Sequence, residues 1–390
     1  MKVIGIDASR AGCFQRTGTE RYALEIIRHL LALPDAAKYQ WRLYVDAPPG
    51  DTFSSGGLCD EAVTIRILPR HRLWTHRVLA REIRHDPPDL LFVPAHVIPF
   101  TPMALLGQHS GVPAVVTIHD LGYHYFPQAH SRFQRYYLPV STRWSAWVAT
   151  EIIAVSQATA SDLQRFYGVN AGKITVVHEA PTPLAEDALS TGLIDQRAGN
   201  AVRAQYQLPI CYGLYVGTLQ PRKNLSRLLQ AYTQLRQREL VSWSLVLVGA
   251  AGRQSELLKE LADTLQIAAD VHFLGYLSEA ELVALYRGAH LFVFPSLFEG
   301  FGLPVLEAQS HGVPVMSANN SSIPEIAGDA ALLVDPTDID AIADAMLRLS
   351  EDEALRQQLI AAGYENVKRF SWEKAARETL AVFEKVLGKR

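Results

Sequence analysis

Short apolar runs with no polar alternation set the strongest limit on what this chain can fold into. Leu90-Leu91-Phe92-Val93 sits within Asp89–Pro94, and Ala114-Val115-Val116-Thr117-Ile118 within Pro113–Asp120. A strand with one wet face alternates apolar and polar residues. A strand apolar throughout is covered on both faces, the usual state of a parallel strand flanked by helices. Further strands are expected at Val3–Ala8, Trp41–Val45, Val63–Leu68, Glu151–Val155, Ile174–Val177, Tyr212–Val216, Ser244–Val248, Val271–Leu274 and Leu291–Phe294. Helical periods lie between them, as in Glu20–Leu33, and strands alternating with helices define an α/β chain. With 390 residues the chain exceeds one ordinary domain and fits two. The pattern lapses once, from Pro181 to Gln205, amid Pro, Gly and Asp. The expectation is two doubly wound parallel-sheet domains facing a cleft, at 1–180 and 206–370, with a linker at 181–205 and a last helix at 371–390.

Composition excludes several classes. No apolar run approaches the roughly 20 residues that span a bilayer. An acidic residue, Asp7, arrives early in the first strand, so no signal peptide is expected. Cys13, Cys59 and Cys211 are too far apart to suggest a disulfide framework or a zinc site. A cytoplasmic protein is expected. Residues 1–180 carry a net charge of +3 and the remainder −6, which argues against nucleic acid as a partner but allows a local basic surface. Residues 66–84 hold six arginines interleaved with Leu, Trp, Val and Ile. Their latter part reads either as an ordinary solvated helix or as a basic amphipathic helix lying on the inner face of a membrane.

The chemistry concentrates in residues 292–314. After the strand Leu291–Phe294 come Glu299, a Gly-Phe-Gly-Leu-Pro loop, and a helix expected from Pro304 to His311, with Glu307 in its opening turns. A helix start leaves backbone N–H groups unpaired and suits a phosphate, and Gly302 lets a ligand approach the backbone. Two carboxylates around an anion cradle describe a nucleotide-sugar site. The plain alternative is a carboxylate complementing the helix dipole beside an ordinary glycine loop.

Other candidates lie at strand ends. His119-Asp120 follow Ala114–Ile118, where ligands bind in open α/β sheets. Gly18 opens the first helix, either near a phosphate or as a plain turn glycine. Arg222 and Lys223 stand together in Gly217-Thr-Leu-Gln-Pro-Arg-Lys-Asn224, and phosphate contact explains the pair better than folding does. Gly168-Val-Asn-Ala-Gly172-Lys173 falls one residue short of a P-loop, and Ile174 stands where Ser or Thr is required. Asp338-Ile-Asp340 reads as a helix cap rather than a metal pair.

Together these motifs resemble the retaining glycosyltransferases of GT-B architecture with a Glu-x7-Glu pair (glycosyltransferase family 4), the Gly-Thr-Leu-x-Pro-Arg-Lys-Asn variant being most similar to the bacterial O-antigen mannosyltransferase branch. Thr117-Ile-His119-Asp120, Ile152-Ile-Ala-Val-Ser156, Phe273-Leu-Gly-Tyr-Leu-Ser278 and Ser322-Ile-Pro-Glu-Ile-Ala-Gly328 extend the likeness over nearly the whole chain. The resemblance implies two Rossmann-like domains, the C-terminal helix packing back on the N-terminal one. It implies that Glu299 contacts sugar hydroxyls and Glu307 the ribose. The Phe301-Gly302-Leu303 backbone would lie against sugar and phosphate, and the Gly275–Ser278 loop, with Tyr276, Leu277 and Ser278, would border the base. Lys223 and Arg222 would neutralise the diphosphate, with Thr218 standing where many members carry an arginine, and Gly18 would also meet the diphosphate. His119 would orient the sugar or acceptor. No metal and no cofactor are implied beyond the donor, expected as GDP-mannose, with a lipid-linked or surface-polysaccharide glycan as acceptor.

Three other functions are compatible with parts of this pattern. A glycosidase would use Glu299 and Glu307 as acid and nucleophile. An epimerase, a phosphorylase or a transferase for a UDP-, ADP- or dTDP-sugar would share the architecture. A binding protein would hold the nucleotide sugar without turnover.

Overall fold

The computed structural model describes residues 1–12, 18–49, 62–95, 97–100, 111–181, 192–249 and 253–388, with backbone alone for 192–198 and 253. Cys13, Cys59 and the 182–191 part of the expected linker lie outside the described residues. The chain divides into two compact units, Met1–Ala180 with Phe370–Arg390, and Pro181–Arg369.

The first unit contains β1 (Lys2–Asp7), α1 (Gly18–Ala32), β2 (Tyr39–Val45), β3 (Val63–Ile67), α2 (Ala80–His85) and β4 (Leu90–Val93). It continues through β5 (Ala114–Ile118), α3 (Gly122–Tyr125), α4 (Arg132–Val148), β6 (Glu151–Ala154), α5 (Gln157–Tyr167) and β7 (Ile174–Val176). All seven strands are parallel, in the order β3-β2-β1-β4-β5-β6-β7. The central strands β4, β5 and β6 are buried at every position, as the apolar runs of β4 and β5 require. Edge strand β3 is largely exposed and carries Arg66, a charge suited to an edge.

The 66–84 stretch is amphipathic, but its apolar side faces inward. A π-helical turn at Thr75–Leu79 runs into α2, and Trp74, Leu79 and Ile83 are buried in the unit's core. Arg66 pairs with Asp86 at 3.1 Å and Arg70 with Asp46 at 3.5 Å.

The second unit begins with α6 (Gly192–Gln205), where the sequence pattern suggested linker to residue 205. Alanines and glycines thin the apolar period there, yet Val202 buries against the unit's core and the Tyr206 hydroxyl donates to Glu281 at 2.8 Å. Next come β8 (Tyr212–Val216), α7 (Leu225–Gln237), β9 (Ser244–Val248), α8 (Arg253–Thr264), β10 (Val271–Leu274), α9 (Glu279–Gly288) and β11 (Leu291–Phe294). The unit closes with α10 (Leu303–Ser310), β12 (Val315–Ala318), α11 (Ile323–Ala327), β13 (Leu332–Val334), α12 (Ile339–Glu351) and α13 (Glu353–Val367). Its six strands are parallel in the order β10-β9-β8-β11-β12-β13.

The last helix, α14 (Trp372–Gly388), completes the first unit. Trp372 packs on Tyr22 of α1 with ring centroids 5.8 Å apart, and Phe383 on Phe92 of β4 at 5.0 Å. Lys385 reaches Glu151 at 2.9 Å. Burial of the apolar stripe from Trp372 to Leu387 supplies the driving force. Among the described residues no helix is long and apolar enough to cross a membrane.

Candidate active site

In each sheet the strand order reverses at one place, between β1 and β4 and between β8 and β11. Loops leaving the carboxyl ends of neighbouring strands diverge at such a point and leave room for a ligand. In the second unit those loops are 217–224 after β8 and 295–302 after β11. Leu297 N–H donates to Arg222 O at 2.8 Å and ties them together.

The resulting cluster joins three sequence candidates. Arg222 Nη1 donates to Phe298 O at 2.9 Å and to Glu299 Oε2 at 3.1 Å. Lys223 Nζ donates to Glu299 Oε1 at 2.5 Å and lies 4.9 Å from the centre of the Phe294 ring, which adds a cation–π contact. Lys223 and Glu299 are each only 6% exposed. Burial by itself would raise the Glu299 carboxyl, but the charges of Lys223 and Arg222 outweigh it and hold the group below its ordinary value. Two cations thus share one ionised carboxylate. A glycosidase acid needs the opposite shift, so Glu299 is unsuited to that role.

The Glu299 loop is braced by residues that sequence reasoning left without a role. Glu299 N–H donates to Ser321 Oγ at 3.0 Å. The Ser322 hydroxyl lies 3.0 Å from Glu299 O and 2.7 Å from Phe301 O, and donates to one at a time. Asn224, with φ of 63°, donates to Pro295 O at 3.0 Å and Pro336 O at 2.6 Å. Ser322 belongs to a recognised motif, but only the fold shows that it faces this loop.

Gly302 has a φ of +114°, and a Cβ there would sit 2.7 Å from Ile323 Cδ1. Gly302→Ala is expected to cost about 2 kcal/mol through backbone strain alone, read as a lower midpoint for the unit in denaturant. An unchanged midpoint would show that the loop relaxes freely. The helix that follows starts at Leu303, one residue before the expected Pro304. Pro304 has no N–H and Val305 N–H already bonds to Gly302 O at 3.0 Å, so the amides at this helix start belong to Gly302 and Leu303.

Glu307 is 9% exposed and accepts a hydrogen bond from Tyr286 OH at 3.0 Å. The Tyr286 ring stacks on His311 with centroids 5.2 Å apart. Nothing in the spacing of Tyr286, at the end of α9, marks it as Glu307's partner. Tyr276 is 62% exposed and Leu277 is buried. Ser278 is absorbed in capping α9: its hydroxyl donates to Glu281 Oε2 at 2.6 Å, its N–H to the same oxygen at 2.8 Å, and its carbonyl accepts from Leu282. Thr218 is exposed, and its carbonyl accepts from the Gln220 N–H at 2.9 Å. Asp338 caps α12 through Ala341 N–H at 3.0 Å, as its sequence position suggested. Among the described residues no group of three or more His, Cys, Asp or Glu could hold a metal.

In the first unit, His119 follows β5 and is buried. Its Nε2 donates to Pro94 O at 2.8 Å and its Nδ1 lies 2.9 Å from Glu179 Oε1. A carbonyl can only accept, so Nε2 carries a proton. Burial works to lower the imidazole's pKa, but the hydrogen bond and charge of Glu179 overcome it and the value is raised. Both ring nitrogens thus face oxygen atoms, which favours an imidazolium paired with the Glu179 carboxylate, and Tyr22 meets the ring edge-on with centroids 4.6 Å apart. That disfavours it as a general base. Glu179, sixty residues away in sequence, carried no motif to announce it. Gly18 is the first residue of α1 and is exposed; residues 13–17 before it lie outside the described residues.

Two parallel-sheet units, with a cationic pair and a helix start at the switch point of the second, define a glycosyltransferase of the GT-B type. The comparisons agree. Residues 16–180 match the model described as Glycosyltransferase Family 4, and residues 212–366 the model described as Glycosyl transferases group 1. The O-antigen chain mannosyltransferase B of Escherichia coli is 31% identical over 94% of this chain and 96% of its own length. Sucrose-phosphate synthase from Thermosynechococcus elongatus superposes over all of both chains with a TM-score of 0.76 and 21% identity. Anabaena HepE in complex with UDP-glucose gives a TM-score of 0.70 at 20% identity, over 98% of this chain and 100% of that one. The chain belongs to this glycosyltransferase family.

Proposed function

We propose that this enzyme is a retaining, metal-independent hexosyltransferase that moves mannose from GDP-mannose onto a lipid-linked or surface-polysaccharide glycan in the cytoplasm. The observation that carries the reaction type is the Arg222-Lys223-Glu299 cluster beside the start of α10. Breaking the bond from the anomeric carbon to the diphosphate leaves an electron pair, and negative charge, on the leaving oxygen. Lys223, Arg222 and the Gly302 and Leu303 amides supply positive potential for it, the task a metal serves elsewhere. The acceptor hydroxyl attacks the same face of the sugar and its proton passes to the leaving phosphate oxygen. Glu299 and Glu307 hold sugar and ribose hydroxyls, and the fixed imidazolium of His119 orients sugar or acceptor. The sugar and acceptor rest on likeness to an O-antigen mannosyltransferase.

A ligand that binds only the folded state stabilises it by about 2.7 kcal/mol at a hundredfold excess over its Kd. GDP-mannose is therefore expected to raise the melting temperature by several degrees, and UDP-, ADP- and dTDP-sugars by much less. A larger rise with any of those sugars overturns the donor assignment. Turnover lost in EDTA overturns metal independence.

A further inference from the structure

Glu299 is a carboxylate in a place that calls for cations. Its Oε1 accepts from Lys223 Nζ and its Oε2 from Arg222 Nη1, the two side chains proposed above to meet the donor's diphosphate. Lys223 and Glu299 are both buried, so water screens their charges little. The three side chains together carry one net positive charge, where the two cations alone would carry two. A site shaped only to hold diphosphate would leave that carboxylate out.

The reaction changes the charge that faces this cluster. In a sugar nucleotide both phosphates are esterified and each carries a single charge. Loss of the sugar frees the terminal phosphate, whose second pKa is about 6, so the released nucleoside diphosphate gains most of a further charge at neutral pH. Two cations alone would therefore hold the product more tightly than the donor. A neighbouring carboxylate treats the two ligands differently. It accepts hydrogen bonds from sugar hydroxyls, charge-assisted and hence strong, but meets the sugar-free diphosphate only as a like charge. A repulsive element of this kind discriminates as well as an added contact does. The cations that hold the Glu299 carboxyl below its ordinary value keep it ionised at neutral pH.

We propose that Glu299 is a specificity-determining residue that weakens the site's hold on the nucleoside diphosphate product and so speeds its release. The inference rests on the proposed placing of diphosphate at Lys223 and Arg222, and on neither the base nor the sugar. E299Q keeps the shape of the side chain and removes its charge. Titration calorimetry with GDP, UDP, ADP and dTDP, and with the corresponding sugar nucleotides, is expected to show opposite changes. The diphosphate that binds wild type best should bind E299Q about tenfold more tightly, and its sugar nucleotide should bind more weakly. A merely structural role would weaken both. E299S, a second neutral variant, should repeat the gain, and E299D, which keeps the charge, should bind the diphosphate within about threefold of wild type. Equal or weaker diphosphate binding in the folded neutral variants overturns the proposal, as does a gain of the same size in E299D. Lys223→Met separates that result from failure of the underlying reading. If its diphosphate affinity falls while the neutral variants gain nothing, only the role of Glu299 is wrong. If its affinity matches wild type, the cation pair does not hold diphosphate, and both fall.

Discussion

Lys223→Ala is expected to lower kcat by 10²–10³-fold, the loss found when one preorganised charge-stabilising donor is removed from a transition state. The ammonium is buried, stands 2.5 Å from Glu299, and lies in the loop after β8 at the switch point. Breaking a buried ion pair also destabilises, so folding must be followed separately. Lys223→Met keeps the apolar stem against Phe294 and removes only the charge, and it should lose the same factor in kcat with a smaller loss of stability. Pairing Lys223→Met with Glu299→Gln in a double-mutant cycle should give strongly non-additive losses, because the two side chains form one unit. Turnover in Lys223→Met within threefold of wild type would sink the assignment.

Glu179→Gln should show the second largest effect, on stability and with a particular pH dependence. The folded-state pKa of His119 is raised above the ordinary value of 6.5. Stabilisation from its pairing is therefore fully present below that value and is lost as pH rises through the raised one. Removing the Glu179 charge should cost about 3 kcal/mol at pH 5.5, since an imidazolium is left buried beside a neutral amide. The cost should shrink as pH rises from 5.5 towards 9 and wild-type His119 gives up its own proton. Urea denaturation of both proteins at the two pH values tests this. A difference independent of pH would mean that Glu179 only packs, and that His119 is not charged in the folded enzyme.

Much of this molecule was legible because local chemistry is written locally. Unbroken apolar runs identified the central strands, since only a strand covered on both faces can omit polar residues. The amphipathic period of α14 was readable, as were Asp338 as a cap and the failed P-loop at Gly168. Helix α6 was missed because its alanines favour a helix without showing which face is buried, while its glycines argue against one. The 66–84 stretch left two readings open because an amphipathic helix shows two faces but not which way they point; in the fold Trp74, Leu79 and Ile83 meet the core.

Sequence by itself determined the α/β class, the residue types of the donor site and the family to which the chain belongs. Tertiary structure decided which of those residues act as a unit. Strand order places β8 beside β11, so that loops 76 residues apart deliver Lys223 and Glu299 to one contact. In the other sheet the consecutive neighbours β5, β6 and β7 bring Glu179 to His119 across sixty positions. Parallel sheets connect neighbours in space through crossovers of arbitrary length, so pairing across a switch point depends on the order in which strands dock. No spacing rule along the chain encodes that order.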